Sequence, residues 1–251
     1  MKIKYPSSIK WSIDLTGKSA DDIFLSKSYQ KDAKKILNDL TTNNYDLQVE
    51  VVDSVFLDEF AIQYKSFFNT TLSQNLIDVK SYILESKLKG KYYALSLRKD
   101  GAFIGAEIFR LSQRVFSIVY QVMPHKLDFF IKTNLSCAIE YFGINYAIEN
   151  KIYNYSIGKD RNVYGSNLNI GLAQYKLSIG ALPYVSKNAE ILEFDTDQQF
   201  DQDKLIFYTD RNEQKRLDKV LLITNLTEAE IKNKYNVFLK HPELSVTIIT
   251  C

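Results

Sequence analysis

Lys176 sits among Leu172, Tyr175, Leu177 and Ile179, where a charged head is costly unless it enters a pocket or pairs with a carboxylate. Aimed inward, an ammonium lowers the barrier of any reaction that builds negative charge on a carbonyl oxygen, as acyl transfer does. A lysine snorkelling from a surface strand is the alternative. Upstream, Gly158 is read as the end of the short strand KIYNYSI, a place where glycine gives the backbone the tight or left-handed geometry of a ligand-facing turn. Lys159, Asp160, Arg161 and Tyr164 follow that strand end directly, where ligands commonly meet an open α/β sheet. Lys159 and Arg161 could grip phosphate with Tyr164 near the acceptor, or the run could be a solvated charged loop. Asp160 could deprotonate an attacking amine, or cap and pair with its neighbours. His125, after Pro124, offers a general base with an unperturbed pKa near neutrality, or is an exposed loop histidine with no task.

These residues need a scaffold, and the periodicities supply one. SADDIFLSKSYQKDAKKILNDL opens with Ser19 as a cap and Asp22 three residues on, and reads as one or two short helices. DLQVEVV alternates as a strand. The stretches from Ser54 to Thr71 and from Asn75 to Lys89 carry apolar residues at helical spacing. KYYALSLR, AFIGAEIFRL and RVFSIVYQV are rich in β-branched and aromatic residues, with Asp100-Gly101 and Ser112-Gln113 between them, which predicts an antiparallel meander. A helix from about Thr133 to Asn150 leads to KIYNYSI, and a Gly-spaced helical segment then carries Tyr175-Lys176. Beyond Val185 come the strands EILEFD and LIFYT on either side of an Asp/Gln-rich stretch, and a tail of strand, helix capped by Thr227 with Glu230, and strand. The expected division is a domain over 1–187 and a β-rich C-terminal appendage over 188–251.

Composition bounds the rest. A chain of 251 residues with 45% hydrophobic content buries a sizeable core without staples. Its net charge of +2 implies no nucleic-acid wrapping by itself, although a local basic groove remains open. Two cysteines make no disulfide framework, and Cys137 reads as core. There is no signal-peptide pattern and no run of about 18 apolar residues, so a cytoplasmic protein without a membrane span is expected. The histidines, His125 and His241, fit no zinc spacing, and no metal cofactor is expected.

Three segments in this order resemble the GNAT acyltransferase superfamily, and more narrowly its FemAB-like branch: the basic LSKSYQKDAKKILND, the hairpin LRKDGAFIGAEIF with Gly105-Ala106, and the closing pattern Gly158, Gly171-Leu172, Tyr175-Lys176, Gly180-Ala181. The resemblance implies an α+β fold with a mostly antiparallel central sheet flanked by helices and a small β-α-β appendage. It implies an N-acyltransferase in which Tyr175 and Lys176 lie at the reacting centre, and Asp160 is the candidate base beside them. Gly158, Lys159, Arg161, Tyr164, Gly171 and His125 would contact substrate. The glycine-containing turn by which ordinary family members cradle CoA is absent, since MPHKLDFFIKTN stands there. The donor is therefore open among acyl-CoA, acyl-carrier protein and aminoacyl-tRNA, and the acceptor is a small-molecule or cell-envelope amine such as an amino sugar. Two readings from other classes stand beside this one. One is a catalytically inactive GNAT-like module that binds protein through its tail. The other is an RNA-handling protein in which Lys31, Lys34, Lys35, Lys159 and Arg161 converge.

Overall fold

The computed structural model describes residues 2–69, 78–85, 91–124, 127, 135–166, 168–196, 200–210 and 215–250. The chain opens with β1 (Lys2–Pro6), β2 (Ser8–Asp14), α1 (Ala20–Ile23), α2 (Lys27–Thr42) and β3 (Tyr45–Val51). Next come α3 (Ser54–Asn69), α4 (Val79–Glu85), β4 (Lys91–Lys99), β5 (Ala102–Ser112), β6 (Val115–Val122) and α5 (Leu135–Glu149). The last part holds β7 (Asn154–Arg161), α6 (Ile170–Ser178), β8 (Leu182–Val185), β9 (Ile191–Asp195) and β10 (Lys204–Tyr208), then β11 (Lys219–Thr224), α7 (Glu228–Lys234), α8 (Asn236–Leu239) and β12 (Ser245–Thr250). The fold is α+β, with a mostly antiparallel sheet flanked by helices. Two compact units divide the chain: a central one of Leu15–Asp22 and Lys27–Tyr155, and a terminal one of Met1–Asp14, Ile23–Ser26 and Ser156–Cys251.

In the central unit β3, β4, β5 and β6 form the expected antiparallel meander. Asp100 and Gly101 both have positive φ, +49° and +81°, the type I′ geometry whose twist matches the flanking strands. Gln113 and Arg114 repeat it at the next hairpin, with φ of +49° and +63°. One face of the meander, through Ala94, Ala106, Ile108 and Val122, packs on Phe56, Leu57 and Phe60 of α3 and Val79 and Ile83 of α4. The other face receives α5, where a Cβ on Gly143 would lie 2.8 Å from Leu95 Cδ1 and 2.5 Å from the Tyr155 hydroxyl. Because both faces are covered there, the middles of β4 and β5 are buried on both sides. The Ser19 cap closes as expected: Asp22 N donates to Ser19 Oγ at 3.3 Å, and Ser19 N donates to Asp22 Oδ2 at 3.0 Å.

In the terminal unit β2 lies between β7 and β8, pairing antiparallel with β8 from Ile9↔Val185 to Ser12↔Leu182. β1 pairs with β9, and β10, β11 and β12 make a separate sheet in which β11 and β12 run parallel across the α7 connection. That last arrangement is the β-α-β tail the sequence predicts. Ile3 and Tyr5 join Ile206, Tyr208, Leu221 and Ile223 in one core, so strands from both ends of the chain share a single apolar cluster. Asn162, fully buried, pins the chain after β7: its amide donates to Pro6 O at 2.9 Å and Phe207 O at 2.6 Å, and it accepts from Phe207 N at 2.9 Å.

Candidate active site

Every element that holds Lys176 belongs to the terminal unit. β2 buries Ile9, Trp11 and Ile13 at alternate positions, all 1% exposed or less, so the indole of the chain's single tryptophan is fixed on the inner face. Its ring packs edge-on against Phe207 with centroids 5.3 Å apart. Ser156 on β7 donates to Trp11 O at 3.1 Å, which ties the neighbouring strand to it.

β7 does not stop at Gly158. The glycine adopts φ +95°, with open space where a Cβ would be, so conformation rather than crowding calls for glycine there. The positive φ bends the strand without ending it, and Lys159, Asp160 and Arg161 lie within β7, not in the loop read from the sequence. Lys159 and Arg161 are exposed, whereas the Asp160 side chain between them is only 9% exposed.

α6 begins at the N-cap Asn169, whose side chain accepts from Gly171 N at 2.7 Å. Its C-terminus is closed by Gly180 at φ +87°, where a Cβ would come within 2.3 Å of Ile23 O. Gly180 N donates to Leu177 O at 2.9 Å and Ala181 N to Lys176 O at 2.9 Å, the paired bonds of a Schellman motif. The Gly180-Ala181 part of the sequence pattern is thus the stop that fixes the last turn of α6, and Lys176 is in that turn.

The Lys176 side chain is 9% exposed, and its Nζ lies 2.8 Å from Asp160 Oδ2 and 5.7 Å from the Trp11 ring centroid. It is neither on a strand nor at the surface, which disposes of the snorkelling alternative. The Tyr164 hydroxyl donates to the same Asp160 oxygen at 2.7 Å and accepts from Trp11 Nε1 at 3.1 Å. Burial, then the negative charge of Asp160, pushes the Tyr164 hydroxyl far above the ordinary tyrosine range, so it keeps the proton it donates. One carboxylate oxygen therefore faces an ammonium and a phenol, with an indole over the ammonium. Such a cluster can hold a positive charge in place or, once opened, hand that charge to a ligand.

Of the residues singled out in the sequence, Lys176, Asp160 and Tyr164 come together, with Gly158 two positions before Asp160 on β7. Tyr175 is half-buried beside Lys176 on α6. Gly171 lies elsewhere, at the opposite end of α6, lining a separate cleft of about 300 Å³ with Asn169, Gln174, Asp203 and Lys234. His125 lies outside the described residues. Sequence reading missed Trp11, whose signal was a lone tryptophan at the centre of an alternating Ile-x-Trp-x-Ile strand.

The architecture is GNAT-like, of the FemAB type. FemX is the solved structure that carries this assignment, with a TM-score of 0.52 at 10% identity over 71% of this chain and 60% of that one. L-PGS from Bacillus licheniformis matches with a TM-score of 0.49 at 13% identity, over 79% of this chain and 63% of that one. A tandem GNAT protein from the clavulanic acid biosynthesis pathway gives 0.44 at 10% identity, over 78% and 55%. The chain thus spans less than two thirds of the length of each of these proteins, and at such identities the likeness is one of fold. No protein-family model matches the chain, and no curated protein matches it in sequence. No helix among the described residues is long and apolar enough to cross a membrane.

Proposed function

We propose that this protein is an N-acyltransferase that forms an amide by moving an acyl or aminoacyl group from an activated donor to an amine. One observation carries the reading: the Lys176 ammonium is held inside the terminal unit against Asp160 instead of lying in solvent. The FemX-like fold supports it as a scaffold. In the reaction the amine nitrogen attacks the acyl carbon, a C–N bond forms, and the bond to the donor's sulfur or oxygen breaks with the electron pair leaving on the donor. Lys176 stabilises the carbonyl oxygen as it becomes negative, beside Tyr175 at the reacting centre. The proton released by nitrogen passes to Asp160. Gly158, Lys159, Arg161, Tyr164, Gly171 and His125 are assigned to substrate contact, and proximity contributes most of the rate.

The donor is acyl-CoA, an acyl-carrier protein or aminoacyl-tRNA, and the acceptor is a small-molecule or cell-envelope amine. We assign the activity to 1–187 and an accessory role to 188–251, in a cytoplasmic protein. Mass spectrometry of the purified protein for a co-purifying donor chooses among the donor classes, and amide formation with that donor is then followed across an amine panel. Lys176→Ala is expected to lose at least about 100-fold in turnover, the usual scale for one oxyanion-stabilising group. Full turnover in that variant rejects the role of Lys176.

A second reading, a catalytically inactive module binding protein through its tail, is favoured by one feature. LIFYT is covered, with Leu205, Ile206 and Phe207 fully buried, but β12 is a sheet edge without a charged residue and its Ile248 is 40% exposed. Under this reading Ile248→Lys abolishes partner binding, whereas under the first it leaves amide formation intact.

A further inference from the structure

A chain of hydrogen bonds with a fixed direction leads into the Lys176 site from β2. Trp11 Nε1 donates to the Tyr164 hydroxyl at 3.1 Å, and that hydroxyl donates to Asp160 Oδ2 at 2.7 Å. The Lys176 ammonium donates to the same oxygen at 2.8 Å. An indole nitrogen can only donate, and a phenol has one proton to give. Trp11 therefore occupies an acceptor position of the Tyr164 oxygen, and the phenolic proton is left for Asp160. Both rings are held firmly. Trp11 and Tyr164 are 0% exposed, and each packs edge-on against Phe207, with centroids 5.3 and 6.0 Å apart. The Trp11 carbonyl accepts from Ser156 Oγ at 3.1 Å, and Tyr164 exchanges backbone bonds with Leu205, its N donating at 2.9 Å and its O accepting at 3.2 Å. All of these residues belong to the terminal unit.

An oxyanion role asks Lys176 to turn toward a carbonyl oxygen, and Asp160, its side chain 9% exposed, then loses its cation while still largely buried. A carboxylate so placed is costly unless another donor stays on it. Tyr164 is that donor, and Trp11 fixes which way its proton points. We propose that Trp11 is a positioning residue for Lys176: through Tyr164 it holds Asp160 in place, so that the ammonium is kept at a defined position and has a fixed carboxylate to leave and return to. The kinetic consequence rests on the acyltransferase reading above, whereas the hydrogen-bond chain does not. Accepting from the indole makes the phenol a stronger donor, and burial, with the charge of Asp160 second, keeps the phenol protonated.

The chain's single tryptophan gives one indole N–H signal in a nitrogen-edited NMR spectrum of the full protein. Asp160→Asn changes a group two hydrogen bonds away from that proton. It is expected to move the signal in the wild-type background and to leave it in place where Tyr164→Phe has already cut the chain. No movement in the first background, or equal movement in both, overturns the proposal. In amide formation, Trp11→Phe keeps an aromatic ring without the N–H and should lower kcat about tenfold, the scale of one hydrogen bond to a charged group, with KM little changed. Added to Tyr164→Phe it should lower kcat no further than Tyr164→Phe alone, and losses that multiply overturn the proposal. If Trp11→Phe does not fold, the spectra decide, and a wild-type indole proton that exchanges freely with water overturns the proposal without any variant. A wild type that forms no amide rejects the acyltransferase reading, and the indole signal still tests the chain from Trp11 to Asp160.

Discussion

The two units bury charge by opposite means. In the terminal unit Lys176 and Asp160, each 9% exposed in its side chain, neutralise one another at 2.8 Å, and Tyr164 and Trp11 fill the remaining polar contacts. In the central unit Glu107, fully buried on β5, accepts from the neutral amide of Gln121 at 2.5 Å, and burial raises its carboxyl well above the ordinary value. The ion pair holds an ammonium inside the protein, the group that the proposed oxyanion role calls for. The Glu107 carboxyl instead meets a neutral donor, the Gln121 amide. A salt bridge is weak evidence for stability when removed as a whole, but losing one partner strands the other.

The largest expected effect breaks the ion pair. Lys176→Met should cost about 3–5 kcal/mol in chemical denaturation, because it leaves Asp160 buried without its cation. Lys176→Met combined with Asp160→Asn should recover most of that stability. Turnover should stay at least about 100-fold down in both if the lysine serves chemistry; recovery of turnover with stability would make the pair purely structural. Next, Tyr164→Phe removes one hydroxyl from between Trp11 Nε1 and Asp160. A loss of about 1–3 kcal/mol is expected, the scale for leaving buried polar groups unsatisfied, and an unchanged denaturation midpoint would show that the cluster relaxes around the gap.

In the other unit, Gly143→Ala forces a methyl against Leu95 and Tyr155. Overpacking of this kind should cost about 1–3 kcal/mol. A variant of native stability would mean that the helix seats elsewhere. Glu107→Gln removes a buried carboxyl whose value stands above the ordinary one, and should relieve at most about 1.4 kcal/mol per pH unit as pH rises above 4.5. Measured well below pH 4.5, where the carboxyl is protonated in the folded and unfolded chain alike, the same variant should show the same pH slope as the wild type.

Some of this was legible in the residues because short-range chemistry decides it. Thr227 and Glu230 form the capping box their spacing announces, with Thr227 N donating to Glu230 Oε2 at 2.8 Å. Asp100-Gly101 makes the type I′ turn. The run of helices, meander, helix, strand, helix and strand appears in the order read, and Lys176 was singled out because an ammonium in apolar company needs an explanation. Glu107 was not singled out. In AFIGAEIFRL it reads as an outward polar residue of a half-buried strand, and only the covering of the second face by α5 turns that position inward. Asp160 was read in a loop beyond the strand because a glycine after a strand commonly ends it, whereas Gly158 here bends β7 and carries it on.

By itself the sequence determined where helices begin, which turns are tight and which residues carry chemistry, since these depend on hydrogen bonds and steric limits within a few residues. The tertiary structure decided the partners: Asp160 for Lys176 across 16 positions, Trp11 for Tyr164 across 153, β2 inserted between β7 and β8, and β1 against β9. Closing loops of that length costs entropy that local bonds cannot offset. Burial of a shared core offsets it, and the core exists only once distant strands have met.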